Sequence, residues 1–253
     1  EIRRKIYAVT DGLSFPNGDA ADRIGTMLRN GYSAKGYLVS DHDDPQTERK
    51  EISPEQLREA RFLHESNLIE GVFEISFDEI SDALINGKPG GHVGAWRYAK
   101  NLASQKRPLK PEDVCHMQKL IVDEQSRFPQ HFLDERYRGV IRDCLVTIGG
   151  RVVEIPRSGD FTDFFAKLET DIQRLDPLDE NAILKFAAQS HLEYEGMHPF
   201  ADGNGRTGRL IINYILGYFK LHSLVITSED KHLYYAGFQA DESTTMEEYF
   251  LEK

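Results

Sequence analysis

A mostly α-helical domain interrupted by one β-hairpin is the fold class this chain predicts. Three observations carry that reading. Capped apolar stripes of helical period recur from residue 53 to the end. One stretch between about 140 and 155 switches to short β-branched runs around Gly149-Gly150. A glycine-rich loop, His198-Pro199-Phe200-Ala201-Asp202-Gly203-Asn204-Gly205-Arg206-Thr207-Gly208-Arg209, feeds directly into Leu210, Ile211, Ile212, Tyr214, Ile215 and Leu216, the start of a buried helix.

Each element has a local cause. Residues 1–52 are punctuated by glycine, aspartate and proline, and Ser40-Asp41-His42-Asp43-Asp44-Pro45 reads as a solvated turn, so they form a small N-terminal appendage to a domain at 53–253. Ser53-Pro54-Glu55-Gln56 opens the first helix with a capping box and a proline in the first turn. The helix runs to Glu70, and Gly71 supplies the residue after the cap. Ser76-Phe77-Asp78-Glu79 opens the second, which ends near Asn86-Gly87. A third helix carries Trp96, Tyr98 and Leu102, and Pro111 begins a fourth through Val114, Met117, Leu120 and Ile121. Val140-Ile141, Leu145–Ile148 and Val152–Ile155 read as β segments about the Gly-Gly turn. Helical period returns with Phe161, Phe164, Phe165, Leu168 and Ile172, then with Ile183, Phe186, Ala187 and Tyr194, the latter helix stopped by Gly196. Two short helices close the chain, one near Tyr234-Tyr235 and one ending at Phe250-Leu251.

Composition bounds the function. The 253 residues are 40% hydrophobic, enough for a sizeable core, and the net charge of −11 argues against a broad nucleic-acid surface. No apolar run is long enough to span a bilayer, and Glu1-Ile2-Arg3-Arg4-Lys5 leads into no secretory segment. Cys115 and Cys144 form no disulfide framework or zinc pattern; two reduced thiols fit a cytoplasmic protein. The oligomeric state is not readable, and a homo-oligomer stays open.

The loop at 198–209 concentrates the chemistry. Glycines let backbone N–H groups converge on an anion, and the following helix N-terminus adds partial positive charge. Gly203, Asn204 and Gly205 therefore make a phosphate cradle. Arg206 and Arg209 lie one helical turn apart and can present two guanidinium forks together. Two cations at a helix N-terminus oppose the macrodipole, so the placement asks for an anion. Asp202 can hold a divalent metal ion beside the phosphates, and His198 sits at the lip, where a general base belongs. Phe200 reads as a core anchor. His191 reads as a hydrogen-bonded core residue, with Glu193 and Glu195 facing solvent. Glu70, near a helix C-terminus, is disfavoured by the dipole and calls for a cationic partner.

This stretch resembles the signature of the Fic family, H-x-F-x-[D/E]-G-N-G-R-x-x-R. His198, Phe200, Asp202, Gly203, Asn204, Gly205, Arg206 and Arg209 meet every specified position. The hairpin, helix, loop, helix order is similar to the family's core, over roughly residues 60–253. The resemblance implies transfer of AMP from ATP, with Mg²⁺, to a hydroxyl of a protein target or of the chain itself. His198 would act as base and Arg209 as clamp on the γ-phosphate. Ser66-Asn67-Leu68-Ile69-Glu70-Gly71 resembles the family's inhibitory motif, [S/T]-x-x-x-E-[G/N], which implies that Glu70 pairs with Arg209 and blocks the γ-phosphate, supported by Ser66. The helix at about 53–71 is then an inhibitory helix carried in cis. Thr147, Ile148, Gly149 and Val152 would belong to a flap that docks a target segment by strand addition. Tyr235 is a candidate for nucleotide contact, or for packing with Tyr234. Two alternatives use the same pocket: removal of AMP from a modified protein by hydrolysis, and a regulatory module that senses a nucleotide and turns over little.

Overall fold

A computed structural model of the chain describes residues 52–148, 151–157, 159–238 and 242–253. All of the expected appendage except Ile52, including the turn at Ser40–Pro45, lies outside the described residues, as do Gly149 and Gly150.

Nine helices and one hairpin occupy the described residues: α1 Pro54–Ile69, α2 Phe77–Asn86, α3 Gly91–Ser104, α4 Pro111–Gln125, β1 Val146–Ile148, β2 Arg151–Val153, α5 Asp160–Ile172, α6 Glu180–Met197, α7 Asn204–Tyr218, α8 Lys231–Ala236 and α9 Glu242–Leu251. The fold is mostly helical, as the sequence predicts. Both capping boxes form. The Ser53 hydroxyl accepts from the Gln56 N–H while Gln56 Oε1 accepts from the Ser53 N–H, and Ser76 and Glu79 do the same. Each cap is worth on the order of 1 kcal/mol.

α7 is the centre of the domain. From Leu210 to Leu216 every residue is buried, with α3, α4 and α6 packed around it and α1 laid across its N-terminal end. That burial explains its apolar run, because a helix covered on all sides carries no polar stripe. Phe200 is fully buried against the edge of Phe161, so the loop ahead of α7 is anchored in the core. Burial of one such ring contributes roughly 1.5–3 kcal/mol.

Two local expectations are corrected. The first is the stop of α6. Gly196 lies inside the helix, and the turn ends at His198, a left-handed residue at φ 46°, ψ 62°. A lone glycine weakens a helix by about 1 kcal/mol without breaking it. The second is Val140-Ile141, which forms no strand. The neighbouring Arg142 N–H donates to the Pro199 carbonyl at 2.9 Å, so this segment is pinned to the loop before α7 instead of to a sheet. The hairpin itself pairs Val146 with Val153, Thr147 with Val152 and Ile148 with residue 151, antiparallel.

Candidate active site

α1, α4, α6 and α7 meet at the loop 198–203. Gly203 stands at φ 85°, in the left-handed region, and a Cβ there would press on Val122 at 3.3 Å. The Asn204 side chain closes the loop on itself: Oδ1 accepts from the Phe200 N–H and Nδ2 donates to the Phe200 carbonyl, both at 2.8 Å. Asn204 is thus buried and committed, so what it adds to an anion cradle is its backbone N–H. The first N–H groups of α7, around Asn204, Gly205 and Arg206, have no intrahelical partner and point out of its N-terminus.

Both arginines are buried, at 1% exposure for Arg206 and 2% for Arg209. Arg209 is fully engaged. Its Nε donates to Ser66 Oγ at 2.8 Å, Nη2 to the Ser66 carbonyl at 2.9 Å and to Glu70 Oε1 at 2.7 Å, and Nη1 to the Tyr234 hydroxyl at 3.3 Å. Ser66 therefore touches the arginine directly. Glu70 caps α1, and its carboxylate lies over the first turn of α7: a Cβ on Gly205 would sit 2.2 Å from Glu70 Oε1. Burial pushes the Glu70 carboxyl up, but the Arg209 and Arg206 charges outweigh it and hold the group below its ordinary value.

Arg206 is placed differently. Its Nη2 donates to Gln125 Oε1, while Nε and Nη1 are buried and have no hydrogen-bond partner among the described residues. Burial draws the guanidinium pKa down, against the attraction of Asp202 and Glu70. Asp202 Oδ2 accepts from Gln125 Nε2 at 2.6 Å, and its Oδ1 accepts from the Gly203 N–H at 2.6 Å. The Asp202 side chain remains 48% exposed. Gln118 Nε2 adds a bond to the Asp202 carbonyl at 2.9 Å.

His198 lies at the mouth, 18% exposed, with Nδ1 3.6 Å from Glu195 Oε2. Glu193 is exposed and pairs with Lys167, but Glu195 is 12% exposed, which corrects the expectation that both glutamates face solvent. His191 is buried with Nε2 2.7 Å from the Tyr234 hydroxyl, and burial brings its pKa down to about 3. Tyr234 is core and Tyr235 is exposed beside it, with Lys231 over its ring. The hairpin exposes apolar side chains, Ile148 and Val152 among them.

Gln118, Gln125 and Arg142 were not singled out in the sequence, and Glu195 was read there as a solvent-facing glutamate. The glutamines had a legible signal: they stand seven apart on the same stripe of α4 as Met117, Ile121 and Val122, a polar pair in core positions. Arg142 had none.

These features define a helical domain with a glycine-rich loop, flanked by two buried arginines, at the N-terminus of its central helix. The Fic/DOC family profile matches residues 108–216, from just before α4 to near the end of α7. Over that stretch the chain is similar to the Fic/DOC family. Curated relatives are similar over short spans. A protein adenylyltransferase Fic of Nematostella vectensis is 46% identical over 52 residues, 21% of this chain and 12% of that protein. One of Aedes aegypti is 32% identical over 97 residues, 38% of this chain and 19% of that protein. One of Drosophila grimshawi is 26% identical over 143 residues, 56% of this chain and 27% of that protein. The chain thus spans about an eighth to about a quarter of these relatives. Among solved structures, a Fic domain containing signaling protein from Bacteroides thetaiotaomicron superposes with a TM-score of 0.59 at 22% identity, covering 80% of this chain and 88% of that one. Fic-1 of C. elegans superposes with a TM-score of 0.56 at 18% identity, covering 99% and 66%. At these identities the likeness is one of fold. Among the described residues no helix is long and apolar enough to cross a membrane.

Proposed function

We propose that the chain is an autoinhibited protein adenylyltransferase that moves AMP from ATP to a hydroxyl of a protein target or of itself. One observation carries this reading: two buried arginines on one turn of α7, one with unpaired donors, stand beside a histidine at the mouth of the same loop. Buried cations with spare donors suit a polyphosphate. That the similar proteins of Nematostella vectensis, Aedes aegypti and Drosophila grimshawi are protein adenylyltransferases supports the same reading.

His198 takes the proton of the target hydroxyl, and that oxygen attacks the α-phosphorus. The bond to the bridging oxygen breaks, and pyrophosphate leaves. Arg206 and the N–H groups of Gly203, Asn204 and Gly205 hold phosphate oxygens in line. Asp202 suits a Mg²⁺ ion shared with the nucleotide: its carboxylate is half exposed, and Mg²⁺ commonly takes one or two protein carboxylates with phosphates and waters completing its shell. No group of three or more metal-ligating side chains occurs among the described residues, so an all-protein cage is not what this site offers. Bound Mg²⁺ would supply charge neutralisation of the phosphates. The flap residues Thr147, Ile148 and Val152 offer an exposed strand to a target segment, and Tyr235 offers a ring to the nucleotide base.

Glu70 is the brake on this reading. Its carboxylate occupies the anion position above Gly205 and holds the fork of Arg209 that a γ-phosphate needs. The testing experiment is label transfer from α-labelled ATP by Glu70→Gln, with His198→Ala in the same background. The expected result is strong labelling that His198→Ala lowers by roughly 10²–10⁴-fold while ATP binding by calorimetry survives. Undiminished labelling would remove His198 from the mechanism.

A further inference from the structure

Proton abstraction by His198 requires one particular tautomer. If the target hydroxyl meets Nε2, the ring proton must sit on Nδ1, and something must hold it there. The surroundings of His198 narrow what that is. The left-handed conformation at 198 folds the ring back over the last turn of α6, where Nδ1 comes to 3.6 Å from Glu195 Oε2. Arg142 locks the main chain in that position: its Nε donates to the His198 carbonyl at 2.7 Å, and its backbone N–H donates to the next carbonyl, that of Pro199.

Glu195 is itself in need of a donor. Its Oε1 is buried without a hydrogen-bond partner among the described residues, and the same holds for His198 Nδ1 and His191 Nδ1. No lysine or arginine among the described residues pairs with its carboxylate. A carboxylate with a buried oxygen and no cation is costly unless N–H groups reach that oxygen. The space it occupies is kept open by Gly208 on α7, where a Cβ would lie 2.5 Å from Glu195 Oε1 and 2.9 Å from His191 Nδ1. Two imidazoles thus flank one carboxylate, and His191 is tied on its far side to Tyr234, whose hydroxyl reaches Arg209.

We propose that Glu195 is the positioning carboxylate of His198: it accepts the Nδ1 proton and thereby leaves Nε2 as the basic nitrogen. This rests on the proposed transfer reaction for its consequence, but not for its geometry. The 3.6 Å separation closes to a hydrogen bond by a small ring rotation, and unliganded sites commonly tighten when substrate binds. Glu195→Gln keeps the shape and supplies an amide that can donate to Nδ1, which favours the opposite tautomer.

The test reads the tautomer directly. Nitrogen-15 spectra of the intact chain, with the His198 signals assigned by their loss in His198→Ala, are expected to show Nδ1–H in the wild type and Nε2–H in Glu195→Gln. Gly208→Ala, which pushes a methyl group against the same carboxylate, should also lose the Nδ1–H form, and matching melting curves would show that the variants are folded. In the Glu70→Gln background, Glu195→Gln should lower kcat for label transfer by about 10²-fold with the KM for ATP unchanged, and Glu195→Asp should recover part of it. Nε2–H in the wild type, or a tautomer indifferent to Glu195, overturns the proposal whether or not the chain transfers AMP. A Glu70→Gln parent that labels nothing would sink the transferase reading while the spectra still decide the role of Glu195.

Discussion

The two arginines of α7 stand one turn apart, share a helix face and are equally buried, yet their surroundings have opposite character. At the Arg209 end, α1 comes down on the guanidinium and supplies a hydroxyl, a carbonyl and a carboxylate, and Tyr234 takes the remaining side. At the Arg206 end, α4 supplies one glutamine oxygen, and two donors are left over among the described residues. The difference teaches how one helix turn can be half closed and half poised. A cation whose three nitrogens are all engaged by protein is part of the scaffold until its partner moves. A buried cation with unmatched donors costs free energy that only a ligand offsets.

The sharpest way to break the comparison is to remove each arginine in turn. Arg209→Leu should destabilise the fold by about 3–5 kcal/mol, because Glu70 loses its counter-charge and Ser66 and Tyr234 lose a donor. Arg206→Leu should cost much less, since it deletes two unsatisfied donors along with the charge. Urea unfolding of both variants measures this, and equal losses would show that the two ends are energetically alike.

Next in size is the response to nucleotide. Arg206→Gln should weaken ATP binding by about 10²-fold, the worth of one or two charge-assisted hydrogen bonds. Calorimetry in excess Mg²⁺ checks it, and an unchanged affinity would mean that the spare donors do not face the phosphates.

A smaller effect is expected from freeing the closed end. Glu70→Gln should raise AMP transfer about tenfold or more, a difference of about 1.4 kcal/mol, by releasing the Arg209 fork. Time courses with α-labelled ATP report it. A rate equal to wild type would leave the ion pair as scaffold alone.

The last effect, small over any one pH unit, is a pH dependence. His191 is held down to about 3 by burial and by Arg209, from an ordinary 6.5. A base with a lowered folded pKa contributes stability that is complete above about 6.5 and lost as pH falls toward 3, because the unfolded chain binds the proton first. The Glu70 carboxyl, also held below its ordinary 4.5, adds a loss only under more acid conditions, as pH falls through its folded value. Unfolding free energy should therefore decline by up to about 1.4 kcal/mol per pH unit below 6.5, and His191→Gln should flatten that part of the curve. An unchanged slope in the variant would assign it to another group, with buried His92 beside the arginines the first to examine.

How much was legible can be traced residue by residue. The caps at Ser53 and Ser76 act within one turn, so their pattern is complete in the sequence, and both helices start where it places them. The anchor role of Phe200 was equally legible, as an aromatic next to a buried run. Glu195 and Arg142 were not. Arg142 acts on a partner chosen by the packing of separate segments, and Glu195 meets His198, three residues on, only because the left-handed turn at 198 brings the ring back over α6. Glu193 and Glu195 stand two apart on one helix, and only the place of α7 makes one a surface charge and the other a half-buried neighbour of the histidine.

By itself, then, the sequence determined the helical class, the hairpin and the identity of the loop that gathers His198, Asp202, Arg206 and Arg209, because periodicity, caps and turn residues act over a few positions of chain. The tertiary structure alone decided that Glu70 reaches across 139 residues to Arg209, and that Arg206, one turn earlier, is left with donors to spare. Helical spacing sets which side chains share a face. What meets that face depends on how α1 and α4 pack over it, and that is settled by the burial of the whole core.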